Sequence, residues 1–249
     1  LDMDRMDYLN RDSFFTGVSE GVINFDRIIK MLNVHNNELV VDAKGILSVE
    51  KFIIARRLMY WAVYLHKTVL GAELLMVSIL KRAKELALRG EELFATPSLN
   101  KFLHNNFHHS HFLSDESLLD SFAVLDDYDV FASVKVWTNH SDKILSKLCG
   151  CMVDRKLFKI EISSEPFDEK HIVQKRDAIL KSLNISEKES HYFISTSSIV
   201  NHAYDSMQNQ IKILYKDGSV KNIIEASDLM NISALSVPVK KYYLCYIRL

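Results

Sequence analysis

The chain has 249 residues, with 31 Lys and Arg against 32 Asp and Glu, a net charge of -1. At roughly 100–200 residues per domain, this length accommodates one large domain or two small ones. The even charge balance gives no support for coating a nucleic acid, which calls for a basic excess, and a hydrophobic content of 48% excludes general disorder. Only 7 Gly and 3 Pro occur, far below the usual shares of about 7% and 5%, so long helices are expected. The cysteines are Cys149, Cys151 and Cys245. An odd count without framework spacing argues against a disulfide-stapled secreted domain. The most apolar stretch, Trp61–Leu80, is interrupted by His66, Lys67 and Glu73 and reads as a buried helix rather than a membrane span. No signal-peptide pattern is visible. The chain opens on Leu1 with dense patterning from its first residues, which reads as a piece of a longer polypeptide.

Residues 1–155 read as helical. Asp2–Phe15 carries charges and aromatics at helical spacing and is stopped by Gly17 and Gly21. Phe25, Ile28, Ile29 and Leu32 then share one helical face. Glu38–Val41 and Gly45–Leu47 read as a small hairpin across Asp42–Gly45. Ser48 is the expected N-cap of a helical pattern running from Val49 to Leu88, long enough that a kink is expected near Thr68–Gly71. Pro97 and Ser98 mark a break, and shorter helices are expected after Ser114, Asp126 and Ser141. From residue 156 to 249 the texture changes. Leu157–Ile162 and Tyr192–Ser195 read as strands around a helix over Asp168–Leu183. Ile211–Tyr215 and Val220–Ile224 flank the turn Lys216-Asp217-Gly218-Ser219. Asp228–Leu235 reads as a short helix and Tyr242–Ile247 as a last strand. The order is close to β-α-β-β-α-β with one extra strand, so the second part is expected to be a smaller α+β, ferredoxin-like unit.

The strongest chemical signal lies at the start. On a helix, Asp4, Tyr8 and Asp12 fall at i, i+4 and i+8 on one face, with Arg5 beside them. Asp7 and Arg11 make an acid-before-base pair on another face. One face therefore offers two carboxylates, a cation and a phenol, groups suited to a divalent metal, a phosphate and a sugar hydroxyl. Arg56, Tyr60, Tyr64 and Lys67 share a second helical face. Arginine there gives two-pronged phosphate contacts, and tyrosine gives a flat surface with a hydroxyl.

The run from Asp2 to Val18 resembles the D-x-D-R/K-x-D-Y-x-x-R-D-x-x-x-x-G segment of HD-superfamily phosphohydrolases, closest to their deoxynucleoside-triphosphate triphosphohydrolase branch. The run Ala55–Lys67 resembles the same branch's R-x-x-x-[HY]-x-x-x-Y-x-H-K helix. The resemblance implies a helical HD-type scaffold and metal-assisted hydrolysis of deoxynucleoside triphosphates to a deoxynucleoside and triphosphate. It implies Asp4 as one ligand of a divalent metal (Mn, Mg, Fe, Ni or Zn). The other ligands belong to an upstream H…HD segment, and this chain has no His-Asp dipeptide. It implies Arg5 and Arg56 at the phosphates, Tyr8, Tyr60 and Tyr64 around sugar and phosphate, and Asp12 on the sugar 3′-hydroxyl. It implies His66 and Lys67 near a regulatory nucleotide site. A cytoplasmic homo-oligomer acting on nucleotides follows by resemblance, with neither a membrane nor a nucleic acid as partner. This chain alone is expected to hold part of an active site and to be inactive. The rival reading is a non-catalytic regulatory or assembly module derived from the same family.

Other features are weaker. His104 and His108 are spaced like a helical metal pair, but no nearby ligand set completes them, so a polar loop is expected. Cys149-Gly150-Cys151 reads as buried thiols at a helix end. No glycine-rich phosphate loop is present.

Overall fold

The computed structural model describes residues 2–201, 210–227 and 239–249. The fold is mostly helical, with a smaller sheet region toward the C-terminal part. Helix α1 spans Met3–Thr16, opened by the Asp2 carboxylate, which accepts from the Asp4 N–H, and closed by Gly17 in the left-handed conformation (φ 70°). Helix α2 is shorter than its apolar pattern, Phe25–Lys30, because Leu32 enters strand β1, Leu32–His35. The first hairpin is therefore β1 with β2, Glu38–Asp42, rather than the expected pairing of Glu38–Val41 with Gly45–Leu47. The reason is local. Asn36 and Asn37 both take positive φ (50° and 62°), the conformation of a tight two-residue turn, whereas Ala43–Gly45 coils into a 3₁₀ turn. Helix α3, Ile46–Met59, starts at Gly45, so Ser48 lies inside it rather than capping it.

The long helical pattern does break, but earlier than expected. A π-helical turn spans Tyr60–Tyr64, and α4 begins at Lys67 and runs to Leu88. Gly71 lies within α4, and its role is close approach: a Cβ there would meet the Phe158 carbonyl oxygen at 2.5 Å. Helices α5 (Pro97–His104), α6 (His109–Ser114), α7 (Glu116–Ala123), α8 (Asp127–Trp137) and α9 (Lys143–Val153) follow. Asp115, Asp126 and Asp142 accept the first-turn N–H groups of α7, α8 and α9. Ser114 and Ser141 are each displaced by the carboxylate one residue on. Strand β3 is Lys159–Ser163, α10 is Glu169–Leu183, and β4 (Ile194–Asn201) starts only after a 3₁₀ segment over Glu187–Tyr192. Strands β5 (Lys212–Leu214) and β6 (Val220–Asn222) form the expected hairpin, with a four-residue helix α11 (Ile223–Ala226) taking the rest of the second apolar run. Strand β7 is Val239–Tyr246. The helix expected over Asp228–Leu235 lies outside the described residues.

The strands do not form one ferredoxin-like sheet. One sheet has the order β1-β2-β5-β6, with β2 parallel to β5, and the other has the order β3-β7-β4. The strands follow the expected sequence order in outline, but β5 and β6 join the N-terminal hairpin instead of β3. The compact units follow that pairing and not the change in texture at residue 156. One unit comprises residues 1–66 and 198–241, the other 67–197 and 242–249. The first is built on a core of Met6, Leu9, Ile28, Phe52, Ile53 and Met59 joined by Ile211 and Ile213 from β5 and its approach. The second buries Leu75, Ile79 and Leu86 of α4 and Leu145 and Leu148 of α9, two helices that pack directly together. No single described helix is long and apolar enough to cross a membrane.

Candidate functional site

Two helices of the first unit build the site. Met6 and Leu9 of α1, with Phe52, Ile53, Ala55 and Met59 of α3, bury one face of each helix in the shared core. That packing leaves Tyr8 and Asp12 half-buried on α1, near Arg56 on α3 and Tyr60 and Tyr64 on the π-helical turn that follows it. The Tyr64 hydroxyl donates to Asp12 Oδ2 at 2.7 Å. The Tyr64 ring meets Tyr8 edge-on at 5.9 Å and Tyr60 edge-on at 5.3 Å. The Arg56 guanidinium lies 5.6 Å from the centre of the Tyr60 ring. Five of the predicted residues, Tyr8, Asp12, Arg56, Tyr60 and Tyr64, thus form one cluster.

Electrostatics fix the roles of the phenols. Burial and the hydrogen bond to Asp12 both push the Tyr64 hydroxyl far above the usual phenol range, so it is a donor at neutral pH. Burial also raises Tyr8, and the adjacent Arg56 guanidinium opposes that rise. Asp12 keeps its second oxygen and further acceptor capacity for another hydroxyl.

Arg5 and Asp4 sit differently. Arg5 is half-exposed, and its Nε lies 3.3 Å from Asp2 Oδ2. Asp2 therefore both caps α1 and tethers Arg5, a role missed in the sequence even though an Asp just before a helical run is a cap signal. Asp4 is exposed on the first turn. Among the described residues no three His, Cys, Asp or Glu side chains gather as a metal-binding group. The residues present do not fit a complete metal centre, for which three or more protein ligands are usual. The same holds for the His104 and His108 pair. His108 instead caps α6, with its N–H donating to His111 Nδ1 at 2.8 Å.

His66 and Lys67 are exposed at the break after the π-helical turn. Within the second unit, Lys67 lines a groove of about 430 Å³ with Arg155, Lys159 and Arg248, and no carboxylate lines it. Arg155 takes the left-handed conformation (φ 57°) just past α9, a position that favours glycine. The Lys156 N–H closes that turn on the Cys151 carbonyl at 2.8 Å. The three partners of Lys67 lie far from it in sequence and carry no local signal. The three cysteines are buried thiols, and burial pushes Cys149 and Cys245 up to about 12, which makes them inert.

Residues 23–97 match the family described as the HD-associated region. That match covers under a third of the chain, and a structural neighbour carries the name phosphohydrolase. That neighbour, a phosphohydrolase from Bacteroides thetaiotaomicron known from its crystal structure, is 53% identical, aligns over 99% of this chain and 61% of its own, and has a TM-score of 0.90. The uncharacterized protein YwfO of Bacillus subtilis is 28% identical over 92% of this chain and 52% of its own length. An uncharacterized protein of Mycoplasma pneumoniae is 30% identical over 97% of this chain and 55% of its own. A hypothetical protein from Aquifex aeolicus, 24% identical with a TM-score of 0.63, shares the fold. The chain spans about half the length of the curated relatives it matches.

Proposed function

We propose that this chain supplies the nucleotide-facing part of an HD-type phosphohydrolase that hydrolyses deoxynucleoside triphosphates to deoxynucleoside and triphosphate. The carrying observation is the Tyr64–Asp12 hydrogen bond inside the cluster of Tyr8, Tyr60 and Arg56. In this reading Asp12 accepts from the sugar 3′-hydroxyl, and Tyr64 holds the carboxylate in place for it. The tyrosine rings bound the sugar. Arg56 and Arg5 offset the phosphate charge, where fixed cations in a partly water-excluded site stabilise the transition state most. Arg5 reaches the phosphates by exchanging its contact with Asp2. Asp4 is one ligand of a divalent metal whose remaining ligands come from outside this chain. The name of the Bacteroides relative supports hydrolysis broadly; the deoxynucleotide substrate rests on the motif resemblance and the cluster. The groove that Lys67 shares with Arg155, Lys159 and Arg248 supports a regulatory nucleotide beside His66 and Lys67, because three further cations suit a polyphosphate tail.

The test is hydrolysis of the four deoxynucleoside triphosphates by the full-length protein with Mn²⁺ or Mg²⁺, the products being separated by chromatography. Triphosphate release that disappears in Asp4→Ala is the expected result. Release of monophosphate or single phosphate moves the substrate class. A folded, metal-loaded protein without turnover favours the regulatory module.

A further inference from the structure

The stretch from Phe102 to Val134 contains six acidic residues and no Lys or Arg, in a chain that holds 31 of them. It forms the end of α5 and all of α6 and α7, and it runs into α8. The same stretch exposes large apolar side chains. Leu113 is 77% and Tyr128 84% exposed, and Leu119, Phe122 and Val124 are also exposed. Scattered single apolar residues on a surface carry no meaning, but a concentration of them marks an interaction site. Phe122 is held in place by edge-on contacts with Phe102 at 5.9 Å and Phe112 at 6.1 Å, so its exposed edge is fixed before any partner arrives. On α7, Leu119 and Phe122 are three residues apart on one side, with Glu116 and Asp120 one turn apart beside them. The surface joins apolar anchors to the carboxylates of Glu116 and Asp120, with Lys101 of α5 reaching its border at Ser121 Oγ (3.0 Å).

Charge decides the occupant. A symmetric contact with a second copy sets this face against itself and carboxylate against carboxylate, which is repulsive. An anionic bilayer is repelled for the same reason. The complement is a helix with apolar residues at i, i+3, i+4 and i+7 and cations on its flanks. We propose that the α6–α7 surface docks a Lys- and Arg-rich amphipathic helix of another protein. Its apolar side seats on Leu113, Leu119 and Phe122, and its cations lie over Glu116 and Asp120. This docking is separate from the nucleotide site and does not depend on hydrolysis.

The test uses the full-length protein and a fluorescently labelled helical peptide with Leu at i, i+3, i+4 and i+7 and Lys elsewhere, read by anisotropy. A second peptide replaces every Lys by Glu. The Lys peptide is expected to bind saturably and to weaken at least about tenfold between 50 and 300 mM salt, as screened surface charges do. The double variant Glu116→Lys, Asp120→Lys is expected to lose the Lys peptide and gain the Glu peptide. That exchange of preference separates docking from simple misfolding. The double variant Leu113→Ser, Leu119→Ser, at exposed positions, is expected to weaken the Lys peptide while keeping the thermal melt. Three results overturn the proposal: no binding of the Lys peptide, equal binding of both peptides by the unaltered protein, or dissociation of an oligomer by the two serine changes, which assigns the face to a second copy.

Discussion

The Tyr64 phenol and the Asp12 carboxylate come from residues 52 positions apart and meet at 2.7 Å. Because Tyr64 is held as a donor, it orients Asp12 rather than competing with it for a proton. Tyr64→Phe keeps the ring contacts with Tyr8 and Tyr60 and removes only that donor. If the full-length protein acts as proposed, its kcat/KM for a deoxynucleotide is expected to fall about tenfold, the scale of one hydrogen bond to a charged group. An unchanged kcat/KM would show that the bond serves folding alone. Much of this cluster was legible before the fold, since helical spacing alone sets Asp4, Tyr8 and Asp12 in one row and Arg56, Tyr60 and Tyr64 in another. The crossing of the two rows was not, because no local rule says which helix faces packs against which. The outward placement of Asp4 was hidden for the same reason. The grip of Asp2 on Arg5 was hidden because two nearby carboxylates, Asp2 and Asp4, had equal claim in the sequence.

At the level of elements, α4 meets the residue before β3 at Gly71. An alanine at an interior helix position ordinarily stabilises by about 1 kcal/mol over glycine. Here its Cβ would lie 2.5 Å from a backbone oxygen that cannot swing aside. Gly71→Ala is therefore expected to destabilise by roughly 1–3 kcal/mol, the cost of overpacking, and to lower the melting temperature by several degrees in a calorimetric scan. The sequence marked this glycine but assigned it to a kink, since composition does not record what lies across from a residue. The break fell instead at Leu65 and His66, after a π-helical turn that a 3.6-residue periodicity cannot register. The first hairpin was displaced for a different reason. Asn36 and Asn37 carry the turn, while Asp42–Gly45 has the more familiar turn composition. The starts of α7, α8 and α9 fall within one residue of expectation, because a serine and an aspartate adjacent to each other are both good caps and only the backbone path chooses, whereas α3 starts at Gly45, three residues before Ser48.

Across the molecule, the second unit is held by a charged network as well as by its apolar core. Arg82, almost fully buried, donates to both oxygens of Asp142 (3.0 and 2.6 Å) and to Glu85 at 3.0 Å. Tyr192 closes it by donating to Glu85. Burial works to raise the Asp142 carboxyl, but the Arg82 hydrogen bonds and the Leu145 N–H outweigh it and hold Asp142 below the usual carboxylate range. A depressed carboxylate contributes stability that is present above its unfolded value, about 3.9, and is lost as pH falls through the folded value. The melting temperature is expected to drop on acidification below about pH 4, and Asp142→Asn is expected to flatten that drop. Arg82→Met, which leaves Asp142 unpaired, is expected to cost about 3 kcal/mol at neutral pH. The first unit has a different vulnerability, set by the parallel pairing of Val41 in β2 with Ile213 in β5. At ribosomal rates of about 5–20 residues per second, the roughly 170 residues between those strands take on the order of ten to thirty seconds to emerge. Throughout that interval the β1–β2 hairpin leaves the nascent chain with a bare β2 edge. A newborn copy of this chain thus carries an open strand edge, a template for misplaced pairing, until β5 is made.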